Sequence, residues 1–218
     1  ARRAVETLKA AAIVLVTSPA DRGLRKSLGD KSFWPIYEEI ERLGVPIGVH
    51  SGVSVGWGFD YYTRFALTQN LEHPVAQMTA MTSFVMEGVL ERFKTLRVAF
   101  LESGVGWALY MLDRMDRSFD IWKGHHDIKT KPSELVLSGR VYFTFEPDEK
   151  LLPVAVKTFG SESIFWATDF PHEKTVQSTQ REIDEILKIE GLTENDVDNL
   201  LFRTCERFYE RLPTLVTT

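Results

Sequence analysis

Only one cysteine, Cys205, occurs in the 218 residues of the chain. A single thiol cannot form a disulfide within the chain, which excludes a small secreted fold held together by disulfides. The first residues also lack the pattern of a signal peptide, a basic start followed by an apolar stretch and a small-residue cleavage site. We therefore expect a protein of a reducing compartment, with a cytoplasmic location.

An excess of positive charge and a long apolar run are also missing. The 31 acidic residues outnumber the 26 lysines and arginines, which gives a net charge of −5. A nucleic-acid-binding domain usually carries a basic patch, so we expect no nucleic-acid partner. The longest aliphatic run, residues 10–16, is far shorter than the roughly 20 apolar residues that cross a bilayer, so we expect no membrane partner either.

Short apolar runs alternate with longer amphipathic segments along a chain that is 44% hydrophobic and 26% charged. The short runs are rich in β-branched and aromatic residues and are nearly continuous, which is typical of strands buried on both faces of a parallel sheet. The predicted strands are residues 12–16, 46–49, 96–101, 140–145 and 164–168.

Helical periodicity fills the intervals between these runs. Residues 34–43 carry apolar side chains at helical spacing and are followed by Gly44, a common residue at helix C-termini. The other predicted helices cover residues 75–93, 107–115, 178–187 and 194–211, and the sequence TEND predicts an N-terminal cap for the last of these. Strands that alternate with helices predict βαβ units and an α/β fold.

The number of units limits the possible architectures. Five strand–helix units suit a doubly wound sheet or part of a (β/α)8 TIM barrel, and a complete barrel needs eight units and about 250 residues. The chain is therefore either an open sheet or the C-terminal part of a larger barrel. Because it starts at Ala1 rather than at a methionine, we expect a trimmed sequence, and we treat residues 1–218 as a single domain.

Polar residues directly follow several predicted strands, at the end where barrels build their active sites. Asp169 is the strongest candidate, because burying a carboxylate after an apolar run is costly without a cation or hydrogen-bond donors. His50 and Glu102 end two other strands, and each has a structural alternative, a satisfied core histidine or an acid paired with arginine. Imidazole and carboxylate from one rim suit zinc or a similar divalent metal.

Other polar clusters are interpreted as structural. Glu146, Asp148 and Glu149 form a charge run, which is typical of a solvated loop. The sequence GHHD at residues 124–127 resembles a metal cluster, but adjacent histidines point in different directions, so a loop is predicted. His73, in LEHP, is interpreted as a residue at the start of a helix.

Several segments together resemble one known family. The sequences GVPIGVHSG, LERFKTLRVAFLESGVGWALYMLDRMD, VYFTFEPDE and IFWATDFPHEKT resemble the amidohydrolase-related (amidohydrolase 2) family. This is the branch of the amidohydrolase superfamily that contains aminocarboxymuconate-semialdehyde decarboxylase and γ-resorcylate decarboxylase. The resemblance extends from AAIVLVTSP to the final helix. It implies a metal-dependent barrel that hydrolyses or nonoxidatively decarboxylates a small carboxylated or cyclic molecule.

The resemblance also implies roles for individual residues. His50 matches the metal-binding histidine that ends the fifth strand of the family. Asp169 matches the aspartate that ends the eighth strand, which binds metal and handles a proton. The implied cofactor is a divalent metal, zinc first and manganese as the alternative. His172 matches the histidine of the DFPH variant, which orients a ligand or faces the substrate, and we place Trp107 with it as a substrate-binding residue.

Two departures from the family pattern qualify these roles. The H-x-H motif of the first strand is missing, so the chain corresponds to about strands 4–8 without the N-terminal βα units. Glu102 replaces the histidine that many members carry after the sixth strand. We assign it to catalysis with Asp169, as a general base, with binding an arginine or holding the Trp107 loop as alternatives. A homodimer is expected from relatives, and the alternative function is a truncated, metal-free remnant that serves as an interaction module.

Overall fold

The computed structural model describes residues 1–18, 24–52, 58–172 and 174–210. Within these ranges, five parallel strands form one sheet whose order follows the chain. The five predicted strands are confirmed, with boundaries that shift by no more than two residues. They are β1 (Ile13–Val16), β2 (Ile47–His50), β3 (Val98–Leu101), β4 (Val141–Phe145) and β5 (Ile164–Trp166).

The strand order decides between the two predicted architectures. A doubly wound sheet reverses its strand order at a switch point. In this sheet every strand instead pairs with its neighbours in sequence. An uninterrupted parallel order is that of a (β/α)8 barrel, and the five strands form part of one.

Helices occupy the intervals between the strands, and no helix in the described ranges is long and apolar enough to cross a membrane. Short π-helical turns cover Arg3–Thr7 and Asn199–Arg203, and 3-10 turns cover Lys31–Phe33, Phe59–Tyr61 and Ser161–Ser163. The α-helices are α1 (Trp34–Leu43), α2 (Phe65–Met86), α3 (Val89–Arg92), α4 (Gly106–Ile121), α5 (Pro132–Val136), α6 (Leu152–Phe159), α7 (Val176–Ile186), α8 (Glu194–Asp198) and α9 (Thr204–Tyr209).

Helix boundaries were predicted well where local signals are strong. The α1 bounds are confirmed, and Gly44 ends this helix at φ 66°. The predicted helix over residues 75–93 was wrong at its start and in its continuity. The α2 helix begins at Phe65, and a break follows it where Gly88 adopts φ 83°. The predicted cap in TEND is confirmed, because the Thr193 side chain accepts a hydrogen bond from Asp196 N.

The two faces of the sheet are covered differently. Alternate strand residues such as Val98 and Phe100 belong to the main core between the sheet and its helices. On the opposite face, Phe208 of α9 packs against Tyr142 and Phe165 in a second, smaller cluster. The helices of the main core therefore pack on one face of the sheet, whereas α9 covers part of the other face.

Because all five strands run in one direction, their carboxyl ends lie at one edge of the sheet. Register pairs Val16 with His50 and His50 with Leu101, so the residues that follow β2 and β3 are neighbours. The residues that follow β4 and β5 lie at the same edge. We call this edge the carboxyl rim.

Candidate functional site

His50 and Glu102 meet at the carboxyl rim. His50 is the last residue of β2, and Glu102 directly follows β3. The Nε2 atom of His50 lies 2.5 Å from Oε2 of Glu102. The other ring nitrogen, Nδ1, lies 2.5 Å from the carbonyl oxygen of Ser51, which makes Nδ1 a hydrogen-bond donor. The carbonyl therefore fixes the ring so that Nε2 faces the carboxylate.

The contact between His50 and Glu102 is short but poorly aligned for a hydrogen bond. Among the described residues, the buried Oε2 atom of Glu102 has no hydrogen-bond partner of good geometry. The short hydrogen-bonding contact with Glu102 is the main cause that raises the pKa of His50 above its ordinary value of 6.5, and burial opposes it. The same contact lowers the pKa of Glu102 below its ordinary value of 4.5.

The backbone is strained at both candidate acids. Glu102 adopts φ 59° and Asp169 adopts φ 50°, in the left-handed region that side chains with a Cβ rarely enter. Such conformations cost about 1–3 kcal/mol each and cluster at functional sites. At Glu102, the backbone N–H donates to Thr144 Oγ1 at 2.9 Å, which helps to hold this conformation.

Asp169 and His172 form a second pair at the rim. The Nδ1 atom of His172 lies 3.2 Å from Oδ2 of Asp169, and the His172 backbone N–H donates to the Asp169 carbonyl at 2.8 Å. The argument from burial was wrong for Asp169, whose side chain is 43% exposed. The physical reason is that β5 ends at Trp166, so Asp169 lies beyond the buried strand.

The two pairs converge. One potential ligand atom from each of Glu102, Asp169 and His172 lies within 4.8 Å of the others. His50 lies beside this trio and reaches it through Glu102, and the charge of Asp169 contributes to the raised pKa of His50. Two carboxylates and adjacent imidazoles, with a buried Glu102 oxygen whose contact with His50 is poorly aligned, suit a divalent metal ion.

His73 lines a cavity at the carboxyl rim, and sequence reasoning missed it. Its interpretation as the start of a helix was wrong, because α2 begins at Phe65 and contains His73 in its interior, just before Pro74. The Nε2 atom lies 4.0 Å from Oε1 of Glu102, and the buried Nδ1 atom has no partner in the described part of the chain. The signal that could have found it is the four-residue spacing of Gln69, His73 and Gln77 along one helix face.

Trp107 lies mostly in the core. Its ring packs edge-on against Phe100 and Phe143 at centroid distances of 6.0 Å, and it is 8% exposed. Its Nε1 atom donates to the Gly104 carbonyl at 2.9 Å, which ties the loop after β3 to α4. Part of the residue also lines the rim cavity, and its contact with substrate stays a prediction.

The charge run after β4 is only partly solvated. Glu146 and Asp148 are exposed, as predicted, but Glu149 is half-buried. The Glu149 carboxylate accepts hydrogen bonds from the backbone N–H groups of Val105, Gly106 and Glu146, at 2.9 to 3.1 Å. It therefore joins two rim loops at the N-terminus of α4, where the helix dipole favours an anion.

The loop interpretation of GHHD is confirmed. The His126 ring stacks on Phe119 at a centroid distance of 4.5 Å, and both of its nitrogens lie 3.1 Å from backbone carbonyl oxygens. Asp127 pairs with Lys31 at 3.1 Å on the surface. These contacts engage both ring nitrogens of His126 and the carboxylate of Asp127.

A cavity of about 600 Å³ opens beside Glu102 and Asp169. Its walls come from α2, from the loops that follow β3 and β4, and from the segment after β5. Two lysines, Lys150 and Lys174, lie among a larger number of acids in the lining. The volume falls in the range of about 300–1,000 Å³ typical of small-molecule sites.

The His50–Glu102 pair predicts a dependence of stability on pH. A raised folded pKa at His50 contributes stability that is present below 6.5 and is lost as pH rises through the folded value. A lowered folded pKa at Glu102 contributes stability that is present above 4.5 and is lost as pH falls through the folded value. In chelator-treated protein, we expect His50→Gln to lower the free energy of unfolding by about 0.5–1 kcal/mol between pH 4.5 and pH 6.5. The effect is small because the pair is partly exposed.

Urea denaturation of wild type and His50→Gln at several pH values measures this effect. The difference between the two proteins should shrink below pH 4.5 and above the raised pKa of His50. A difference that stays constant across this range would contradict an ion pair at the rim.

The comparisons with known proteins agree with this fold. A family model described as amidohydrolase (Amidohydro_2) matches residues 1–211. The chain belongs to the amidohydrolase family. This confirms the resemblance seen in the sequence and the assignment of the five strands to part of a barrel.

Individual relatives are more distant. The chain is 26% identical over 147 residues to a 2-amino-3-carboxymuconate-6-semialdehyde decarboxylase from Dictyostelium discoideum, a match that covers 67% of this chain and 40% of that protein. Among solved structures, 5-carboxyvanillate decarboxylase from Sphingomonas paucimobilis matches with a TM-score of 0.79 at 19% identity. The match covers 95% of this chain and 61% of that protein. An amidohydrolase from Mycobacterium avium subsp. paratuberculosis K-10 matches with a TM-score of 0.77 at 21% identity, over 95% of this chain and 54% of that protein.

A further solved structure contains a metal. A dihydroxybenzoic acid decarboxylase from Polaromonas sp. JS666, with bound manganese, has a TM-score of 0.72 at 15% identity and covers 96% of this chain and 63% of its own. The chain thus spans 40% of the curated relative and 54–63% of these structures. At these identities the structural likeness establishes the fold.

Proposed function

We propose that the chain forms the C-terminal part of a metal-dependent enzyme that nonoxidatively decarboxylates a small carboxylated organic molecule. The observation that carries the proposal is the convergence of Glu102, Asp169 and His172 within 4.8 Å, with His50 in contact with Glu102, beside a cavity of about 600 Å³. The decarboxylases among the relatives support this reaction in preference to hydrolysis. A cytoplasmic location, a single domain over residues 1–218 and a homodimer stay predictions.

The proposed metal ligands are His50 and Asp169, with Glu102 as an added ligand that the geometry supports. His172 contacts Asp169 and would orient it or face the substrate. Mixed carboxylate and imidazole donors are compatible with both zinc and manganese, and the manganese of the Polaromonas structure supports the second choice. A bound divalent cation would polarise an oxygen of the substrate and stabilise negative charge that develops there.

The residues of the chain would supply orientation and a proton. Decarboxylation breaks the bond between a carbon atom and its carboxyl group, and carbon dioxide leaves while the electron pair stays on that carbon. The carbon must then accept a proton. Asp169 Oδ2 and His172 Nδ1, 3.2 Å apart, can hold one proton between them at the edge of the cavity. We assign its delivery to Asp169, and we place Trp107 and His172 against the substrate.

The proposal is tested by release of carbon dioxide from carboxylated aromatic acids. The purified protein, loaded with zinc or manganese, is incubated with 5-carboxyvanillate or 2,6-dihydroxybenzoate as probes. We expect metal-dependent release, reduced about 10³-fold by Asp169→Asn because both metal binding and proton transfer are lost. Glu185→Gln, which removes an exposed acid on α7, serves as the control and should retain activity. No metal-dependent release of carbon dioxide from either acid, or a protein that binds no metal, would contradict the proposal.

A further inference from the structure

Gln77 is a fully buried amide on α2, the helix that also carries His73. Its Nε2 atom donates one hydrogen bond to the Val49 carbonyl at 2.9 Å and another to the Leu101 carbonyl at 2.7 Å. Each of these carbonyls belongs to the residue immediately before a rim group, His50 in one case and Glu102 in the other. One nitrogen therefore bridges the ends of two neighbouring strands.

Packing alone does not account for an amide at this position. The buried positions of α2 near Gln77 are mostly apolar, among them Ala76, Ala80, Met81 and Phe84. A buried amide is costly unless its polar atoms are paired. The Oε1 atom of Gln77 is buried and has no partner among the residues that the structure describes. The side chain is thus placed for its two donated bonds.

The location of these bonds sets the geometry of the site. The ladder between β2 and β3 ends with the pairing of His50 and Leu101. Gln77 closes the ladder at that point, just before the backbone turns at Glu102 into its left-handed conformation, φ 59°. One helical turn before Gln77, His73 lies 4.0 Å from the Glu102 carboxylate. The same helix face thus contacts the backbone and the side chain of the rim.

We propose that Gln77 is a positioning residue that fixes the separation of His50 and Glu102 by clamping the ends of β2 and β3. The inference rests on the proposed function, because it assigns Gln77 to the assembly of the metal site. It goes beyond that function because Gln77 itself contacts neither metal nor substrate. Groups that hold metal ligands in place from behind typically contribute about 10- to 100-fold to metal affinity.

Gln77→Met tests the clamp, because methionine matches the side-chain length and cannot donate. In the metal-free crystal structure of this variant, we expect the His50 Nε2–Glu102 Oε2 contact to open beyond hydrogen-bonding distance, roughly 3.5 Å. The affinity of the variant for zinc, measured by chelator competition, should fall about 10- to 100-fold. If Gln77→Met folds poorly, Gln77→Asn provides a second test. It keeps the amide but is one methylene too short to reach both carbonyls, so it should also weaken zinc binding.

Thr204→Val provides the matched control. Thr204 is fully buried on α9 and donates to the Ser161 carbonyl at 3.0 Å, away from the rim. The Thr204→Val variant should have a lower melting temperature than wild type and the same affinity for zinc. Equal loss of affinity in both variants, or an unchanged rim contact in Gln77→Met, would overturn the inference. If the wild-type protein binds no metal, the proposed function fails, and the metal-free crystal structure alone decides the role of Gln77.

Discussion

Replacing Glu102 with glutamine is expected to lower turnover by about 10³-fold while the protein stays folded. The carboxylate lies between His50 and Asp169, and its Oε2 atom is buried without a well-aligned hydrogen bond from any described residue. Removing its charge removes a proposed metal ligand and with it several kcal/mol of charge stabilisation, about 4 kcal/mol for a factor of 10³. Metal content and carbon dioxide release, measured on the same preparations, test this prediction.

A second variant separates the role of Glu102 in the site from its role in folding. Glu102→Gly removes the carboxylate and also relieves the strain at φ 59°, which costs about 1–3 kcal/mol for a residue with a Cβ. We expect the activity of Glu102→Gly to be as low as that of Glu102→Gln. Its melting temperature should be at least as high as that of Glu102→Gln. Full metal content and activity in Glu102→Gln would show that the carboxylate is structural.

Replacing Trp107 with alanine is expected to lower the free energy of unfolding by about 3–5 kcal/mol. The ring packs against Phe100 and Phe143 and anchors Gly104, so its loss leaves a large cavity beneath the rim and frees the loop after β3. Urea denaturation measures the change. Trp107→Phe, which keeps most of the packing and loses the bond to Gly104, should cost only about 1 kcal/mol.

The Trp107 variants also test its predicted contact with substrate. A residue that only packs in the core changes stability and leaves KM unchanged in the folded fraction of Trp107→Phe. A residue that faces the substrate raises KM in that variant as well. A cost below about 1 kcal/mol for Trp107→Ala would contradict the core role that its burial assigns to it.

The strands could be predicted because their signal is local. Each is a short run of β-branched and aromatic residues, and strands such as β4, with all five residues buried, read as nearly continuous apolar runs. The carboxyl rim followed directly, since parallel strands place their ends together. The end of β5 was less clear, because Ala167 and the β-branched Thr168 extend the run beyond the last paired residue, Trp166. That continuation produced the wrong expectation of a buried Asp169.

The residues of the rim that the sequence did not reveal form contacts with residues far away in the chain. Glu149 bonds to the N–H group of Val105, 44 positions away, and no local pattern distinguishes it from the exposed acids beside it. Gln77 reaches Val49 and Leu101 in the same way, 28 and 24 positions away. His73 was misread because the proline that follows it is typical of a helix start, whereas α2 continues through Pro74.

The most direct test of the account is a crystal structure of the metal-loaded protein with anomalous scattering measured at the absorption edge of the metal. The account predicts one strong peak at the carboxyl rim, about 2.0–2.2 Å from carboxylate oxygens of Glu102 and Asp169 and from a His50 nitrogen. A peak elsewhere on the molecule, such as beside His125 and Asp127, or no peak at the rim in protein that retains activity, would contradict it.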